Sequence, residues 1–269
     1  MSRGRLIIAI VIAAIALIGY FAKQEYNPIT GEKQHIGITP EQEIALGLQA
    51  APEMEQQYGG LSPDSQSQAL VDKVGQRIVS STKAKETPYK FEFHLLDDDN
   101  VLNAFALPGG QVFITSGLLK KLQTEGQLAG VLGHEMGHVV ARHGAEHIAK
   151  TQLTQGLTGA AVIATYDPNN PNSRYSAAVA ALIGQLVSLR FSREDELQAD
   201  KLGVRFTGES GYDPHAMIGV MEILDAASKG QGRQPEFFST HPNPDHRIER
   251  IQEAIKEIYP QGVPEGLTP

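Results

Sequence analysis

Two histidines four residues apart with a glutamate between them, His134-Glu135-Met136-Gly137-His138, specify a reaction as well as a ligand. Residues four apart share one face of a helix, so the two imidazoles can grip a single Zn²⁺ side by side. Glu135, a step round the same turn, is placed to take a proton from an attacking water. In a chain of this length and composition, about 0.02 such matches arise by chance. The carboxylate at the catalytic spacing also argues against a plain pair of core histidines.

Residues 125–150 around the motif read as one helix, apolar at Leu128, Val131, Leu132, Val139 and Val140 and therefore buried on most of its surface. His143 and His147 repeat the four-residue spacing on it. At about 100° per residue they point roughly 140° and 180° away from His138. Lying among Arg142, Glu146 and Lys150, they are expected on a solvated face and outside the site.

Two histidines leave a catalytic zinc site one protein ligand short. The extended pattern HExxHxxGxxH would need Gly at 141 and His at 144, where the chain has Ala141 and Gly144. Glu146 projects to another side. The remaining source is Ser192-Arg193-Glu194-Asp195-Glu196-Leu197-Gln198-Ala199-Asp200. There Glu196 and Asp200 share one face of a predicted helix; one can ligate the metal while the other accepts the free N–H of a ligating histidine. Acidic helix pairs are also common surface salt-bridge partners, so spacing alone leaves both readings open. Glu194 and Asp195 are rotated away and read as solvated charges.

The elements that must position these groups are legible in outline. Thr39-Pro40-Glu41-Gln42 starts a helix, with Thr as N-cap, Pro at the first position and Gln at the third. It runs to Tyr58 before Gly59-Gly60, and a second helix begins at Ser62-Pro63. Residues 89–96 alternate as a strand; 101–107 and 111–115 form a hairpin about Pro108-Gly109-Gly110. A small sheet that precedes its helices indicates an α+β fold, mainly helical, rather than alternating βαβ units. Residues 153–166 and 176–190 read as an apolar helical hairpin rather than a membrane re-entrant segment. Two further helices start at Asp213-Pro214 and Asn243-Pro244.

The first 22 residues differ from the rest. Leu6 to Ala22 is uncharged after Arg3 and Arg5, which reads as one N-terminal transmembrane helix or, if cleaved, a signal peptide. Tyr20-Phe21-Ala22 lacks a small-residue cleavage pair, favouring an anchor with the chain beyond it sent across the membrane. Residues 23–38 are expected as a linker, 39–260 as the folded domain and 261–269 as a tail. A net charge of -8 without a basic stripe makes nucleic acid an unexpected partner. The absence of Cys removes any disulfide framework.

Taken together, NAFALPGG, HEMGH, SREDELQAD and HPNPDHR, in this order, resemble the zinc metallopeptidase family of HtpX, BepA and LoiP, related to the CAAX prenyl endopeptidases. The resemblance covers about residues 40–258. It implies a zincin-type domain in which Glu196 is the third zinc ligand and Asp200 supports a ligating histidine. It also implies that Asn103, Ala104, Phe105 and Ala106 form the strand to which an extended substrate adds; an edge strand beside a protease site suits that role. His241 and Arg247 match the HP-x4-R segment: His241 would serve the oxyanion or close the zinc in a resting form, and Arg247 would orient the segment. The implied activity is zinc-dependent endopeptidase action on misfolded or mislocalised envelope polypeptides, from the bacterial inner membrane facing the periplasm. The rival is a latent or non-proteolytic zinc-containing chaperone or binding module.

Overall fold

The computed structural model describes residues 3–165, 190–230, 235–242 and 246–269. Helix α1 (Arg3–Ala22) leads into an antiparallel hairpin of β1 (Gln24–Asn27) and β2 (Glu32–His35). Within residues 23–38, Asn27 and Gln34 are buried against the body. Helix α2 (Pro40–Gln57) starts as its sequence dictates, with Thr39 and Gln42 capping each other reciprocally. Helix α3 (Ser65–Ser81) begins at Ser65 rather than Ser62, because Asp64 caps it by accepting from the Gln66 and Ser67 amides.

Strands β3 (Glu92–Leu96), β4 (Ala104–Ala106) and β5 (Gln111–Thr115) form a sheet in the order β3-β5-β4. β5 lies at its centre, parallel to β3 and antiparallel to β4. Both faces of β5 are covered. Val112 and Ile114 join the main core with Val71, Val74 and Ile78 of α3, while Phe113 joins Met54, Tyr58 and Phe105 on the other face. That is why this strand reads as continuously apolar.

After α4 (Ser116–Leu119), the motif helix α5 (Glu125–Val140) is capped by Thr124 and buried along nearly its whole length. The helix expected to run through residue 150 breaks after it. Arg142 takes a left-handed conformation (φ 58°), and α6 (His143–Thr165) sets off in a new direction. The break is held from outside. Arg142 donates to Glu43 (2.9 Å), Glu25 (2.6 Å) and the Ile38 carbonyl (2.9 Å). The carbonyls freed at the end of α5 are satisfied by the N-terminal hairpin: Asn27 donates to Val140 O (2.8 Å) and Gln34 to Ala141 O (2.6 Å). A non-Gly residue in this conformation costs roughly 1–2 kcal/mol, which these contacts offset.

Helix α7 (Arg193–Glu209) packs tightly across α5, followed by α8 (Ala216–Gly230), the short α9 (Phe237–Thr240) and α10 (Arg247–Ile258). The close approach of α5 and α7 depends on glycine. A Cβ at Gly137 would sit 3.0 Å from the Ala199 carbonyl, and one at Gly203 3.2 Å from the His134 Cα. The architecture is therefore α+β and mainly helical, as expected. The first arm of the expected apolar hairpin lies in α6; its second arm, 176–190, falls almost wholly outside the described residues, as does the expected helix start at Asn243-Pro244.

Helix α1 packs along α6, and its other face leaves Ile7, Ile10, Ile15, Ile18 and Phe21 exposed. Among the described residues no helix is long and apolar enough to cross a membrane. The uncharged run of α1 spans about 26 Å at 1.5 Å per residue, short of a hydrocarbon core of ~30 Å.

Candidate active site

Helices α5 and α7 bring the two sequence motifs into one buried cluster. His134 Nε2 and His138 Nε2 lie 3.1 Å apart, with Glu196 Oε2 3.6 Å from the first and Glu196 Oε1 3.5 Å from the second. His241, just past α9, adds its Nδ1 at 3.0 Å from Glu196 Oε1 and 3.3 Å from His134 Nε2. One ligand atom from each of these four residues falls within 4.8 Å of all the others. Glu135, Glu196 and His241 have no exposed surface.

Supporting contacts fix how the imidazoles point. Asp200 Oδ1 lies 2.9 Å from His134 Nδ1, out of line for a full hydrogen bond, and its negative charge favours the tautomer with the proton on Nδ1 and the lone pair on Nε2. Arg247 clamps Asp200 with two donors at 2.8 Å each and reaches Glu196 Oε2 at 3.1 Å. Phe191 stacks on His138 (3.8 Å between centroids) and Phe237 on His241 (4.4 Å). The Nε2 atoms of His134 and His138 stand 3.1 Å apart, the spacing of two nitrogens aimed at one shared centre. Tetrahedral zinc would separate its nitrogen ligands by about 3.3 Å. Both Glu135 oxygens are buried without a hydrogen-bond donor, a costly state in the absence of a positive centre or water. The donor set of imidazole and carboxylate fits a divalent metal of the zinc type.

The electrostatics follow from burial. Loss of water raises the Glu135 carboxyl above its ordinary range. Burial would raise Glu196 as well, but His241 and His138 outweigh it and hold this carboxyl well below the usual value. For Asp200, burial is likewise outweighed, here chiefly by the Arg247 guanidinium. His138 is driven well below its ordinary value by burial and stays neutral, as a ligand must.

Two sequence expectations are corrected here. His143 is buried, not solvated, and its Nδ1 lies 2.9 Å from His138 Nδ1. The helical-wheel count fails because the left-handed Arg142 intervenes between the two residues. Asp195 is no solvated charge either: it completes a capping box with Ser192 and pairs with the half-buried His147 at 2.7 Å. Phe191, Phe237 and Gln198 were not singled out from sequence at all.

The expected substrate strand is β4, at the sheet edge among the described residues. Asn103, Ala104 and Phe105 are buried, and only Ala106 is half-exposed. Asn103 donates to Tyr58 (3.1 Å), and the amide of Phe237 caps Leu102 O (3.1 Å), so the His241 segment lies against the strand. Ala106, Leu107 and Pro108 share with His138 and Phe191 a cavity of about 20 Å³, space for a single water.

An HExxH helix crossed by an ExxxD helix, beside a small sheet with β4 at its edge, defines a metallopeptidase domain. Comparison with known proteins agrees. The chain belongs to peptidase family M48, whose family model matches residues 65–255. It is 33% identical over 240 residues to the mitochondrial metalloendopeptidase OMA1 of Schizosaccharomyces pombe, an alignment covering 88% of this chain and 68% of that protein. It is also 33% identical over 203 residues to the beta-barrel assembly-enhancing protease of Escherichia coli, covering 72% of this chain but 40% of that one. The OMA1 of Saccharomyces cerevisiae is 26% identical over 261 residues, with 90% and 73% covered.

Proposed function

We propose that this chain is a zinc-dependent endopeptidase in which His134, His138 and Glu196 hold the metal and Glu135 is the general base. The observation that carries this is the convergence of two imidazole nitrogens and a carboxylate beside a fully buried Glu135 with no donor of its own. Zinc, when bound, supplies a Lewis acid for the scissile carbonyl and lowers the pKa of water toward ~7. Glu135 takes the water proton and later delivers it to the leaving amine. Asp200, held by Arg247, keeps His134 in the tautomer that frees Nε2. Glu135→Gln should keep zinc but lose about 10²–10⁴-fold in peptide cleavage, read as casein turnover. Unchanged turnover in that variant would contradict the mechanism.

His241 fills the fourth corner of the cluster in this closed form, and the zero exposure of Glu135 leaves no path for a substrate. Turnover therefore requires the segment of Phe237 to His241 to move away from β4. Once the cleft is open, an extended polypeptide adds to β4 at Asn103–Ala106 by backbone pairing, and His241 Nε2, now 3.6 Å from Glu135, can donate to the developing oxyanion. The same closure favours a second reading, a latent zinc-containing binding module. Zinc-dependent capture of unfolded casein without cleavage would support that reading over the first.

The substrate class we infer is misfolded or mislocalised envelope polypeptide, for which one relative's link to β-barrel assembly is an analogy only. The exposed apolar face of α1 suits a membrane anchor placing the domain at the bacterial inner membrane, facing the periplasm. The full chain should float with liposomes while residues 23–269 stay in solution; co-flotation of the shortened chain would contradict the anchor.

A further inference from the structure

His143 stands behind the metal cluster, fully enclosed, with no part in the chemistry above. Its surroundings form a hydrogen-bonded chain. His143 Nδ1 lies 2.9 Å from His138 Nδ1, His143 Nε2 lies 2.9 Å from Gln198 Oε1, and Gln198 Nε2 donates to Glu32 Oε2 at 2.9 Å. Only one assignment of protons satisfies every link. A neutral histidine that offers Nε2 to a metal carries its proton on Nδ1. His143 must then accept at Nδ1 and hold its own proton on Nε2, where Gln198 Oε1 receives it. That leaves the Gln198 amide to donate, and Glu32, in β2, accepts.

We propose that His143 is the positioning residue for His138, accepting its Nδ1–H, and that Gln198 and Glu32 hold His143 in the one tautomer able to do so. The inference rests on the zinc reading of the site. It makes the N-terminal hairpin part of the metal centre, since Glu32 closes the chain while Asn27 and Gln34 cap the helix that carries His138. It also divides the labour on α7, whose Glu196 meets the metal position, Asp200 backs His134 and Gln198 backs His143.

The test is zinc affinity of the full chain, measured by competition with a chromophoric chelator, alongside the thermal melt of the metal-free protein and the visible spectrum of the Co²⁺ form. His143→Leu removes the acceptor and should weaken zinc binding about ten- to a hundredfold and shift the Co²⁺ bands. His143→Asn places an amide oxygen near the Nδ1 position and should restore affinity to within about threefold of wild type. Gln198→Leu, in a half-buried position that tolerates the change, should weaken zinc by several-fold while leaving the metal-free melt unchanged. Wild-type affinity in His143→Leu would overturn the proposal and leave the zinc reading standing. Equal weakness in His143→Asn and His143→Leu would also overturn it, reducing His143 to packing. Failure of the wild type to bind one zinc would overturn both.

Discussion

A buried carboxylate is tolerable only when something answers its charge, and the three in this site are answered in different ways. Asp200 has a guanidinium with two matched donors. Glu196 has Arg247 on one oxygen and His241 on the other. Glu135 has no hydrogen-bond donor, only His241 Nε2 at 3.6 Å, and burial raises its carboxyl, which is the condition of a group meant to exchange protons. Removing a partner from a buried pair typically costs 3–5 kcal/mol, because the remaining charge stays buried. Arg247→Met should therefore lower the unfolding free energy in urea by about that amount, and removing both groups together, as Arg247→Met with Asp200→Leu, should recover part of it. A loss under about 0.5 kcal/mol in the single variant would show that Asp200 does not depend on Arg247.

At the level of helices, the site exists because α5 and α7 cross almost backbone to backbone. Gly203→Ala would push a methyl to 3.1 Å from the His134 amide and 3.2 Å from its Cα. The helices must then separate, and zinc affinity should fall by more than tenfold while secondary structure by circular dichroism is retained; unchanged affinity would place the ligands elsewhere. Much of this was legible beforehand. The motif spacing marked His134, Glu135 and His138, the ExxxD spacing offered Glu196 and Asp200 as candidates, and the Thr39 capping box and the 108–110 turn fixed two element boundaries. What stayed hidden is the break at Arg142. Nothing local announces it, since Arg is neither Gly nor Asn, and its conformation is imposed by Glu25, Ile38 and Glu43, about a hundred positions earlier. Angles counted through that turn place His143 in solvent, whereas Asp195 is buried for a separate reason, its capping box with Ser192 and its pairing with His147.

On the scale of the whole molecule, the N-terminal region and the catalytic helices form a continuous structure. The hairpin of β1 and β2 joins α1 to the end of α5 through side-chain bonds to backbone carbonyls, so whatever holds α1 is mechanically close to the metal ligands. The sheet, the crossing helices and the segment of Phe237 to His241 enclose the same small space from three sides. That space, on the proposed function, is a zinc site built from both motifs. Zinc-edge anomalous diffraction from crystals of the Glu135→Gln chain grown with one equivalent of zinc tests this assignment most directly. A single peak bonded to His134, His138 and Glu196 is the predicted result. A peak held by other residues, or no peak between α5 and α7, would contradict it.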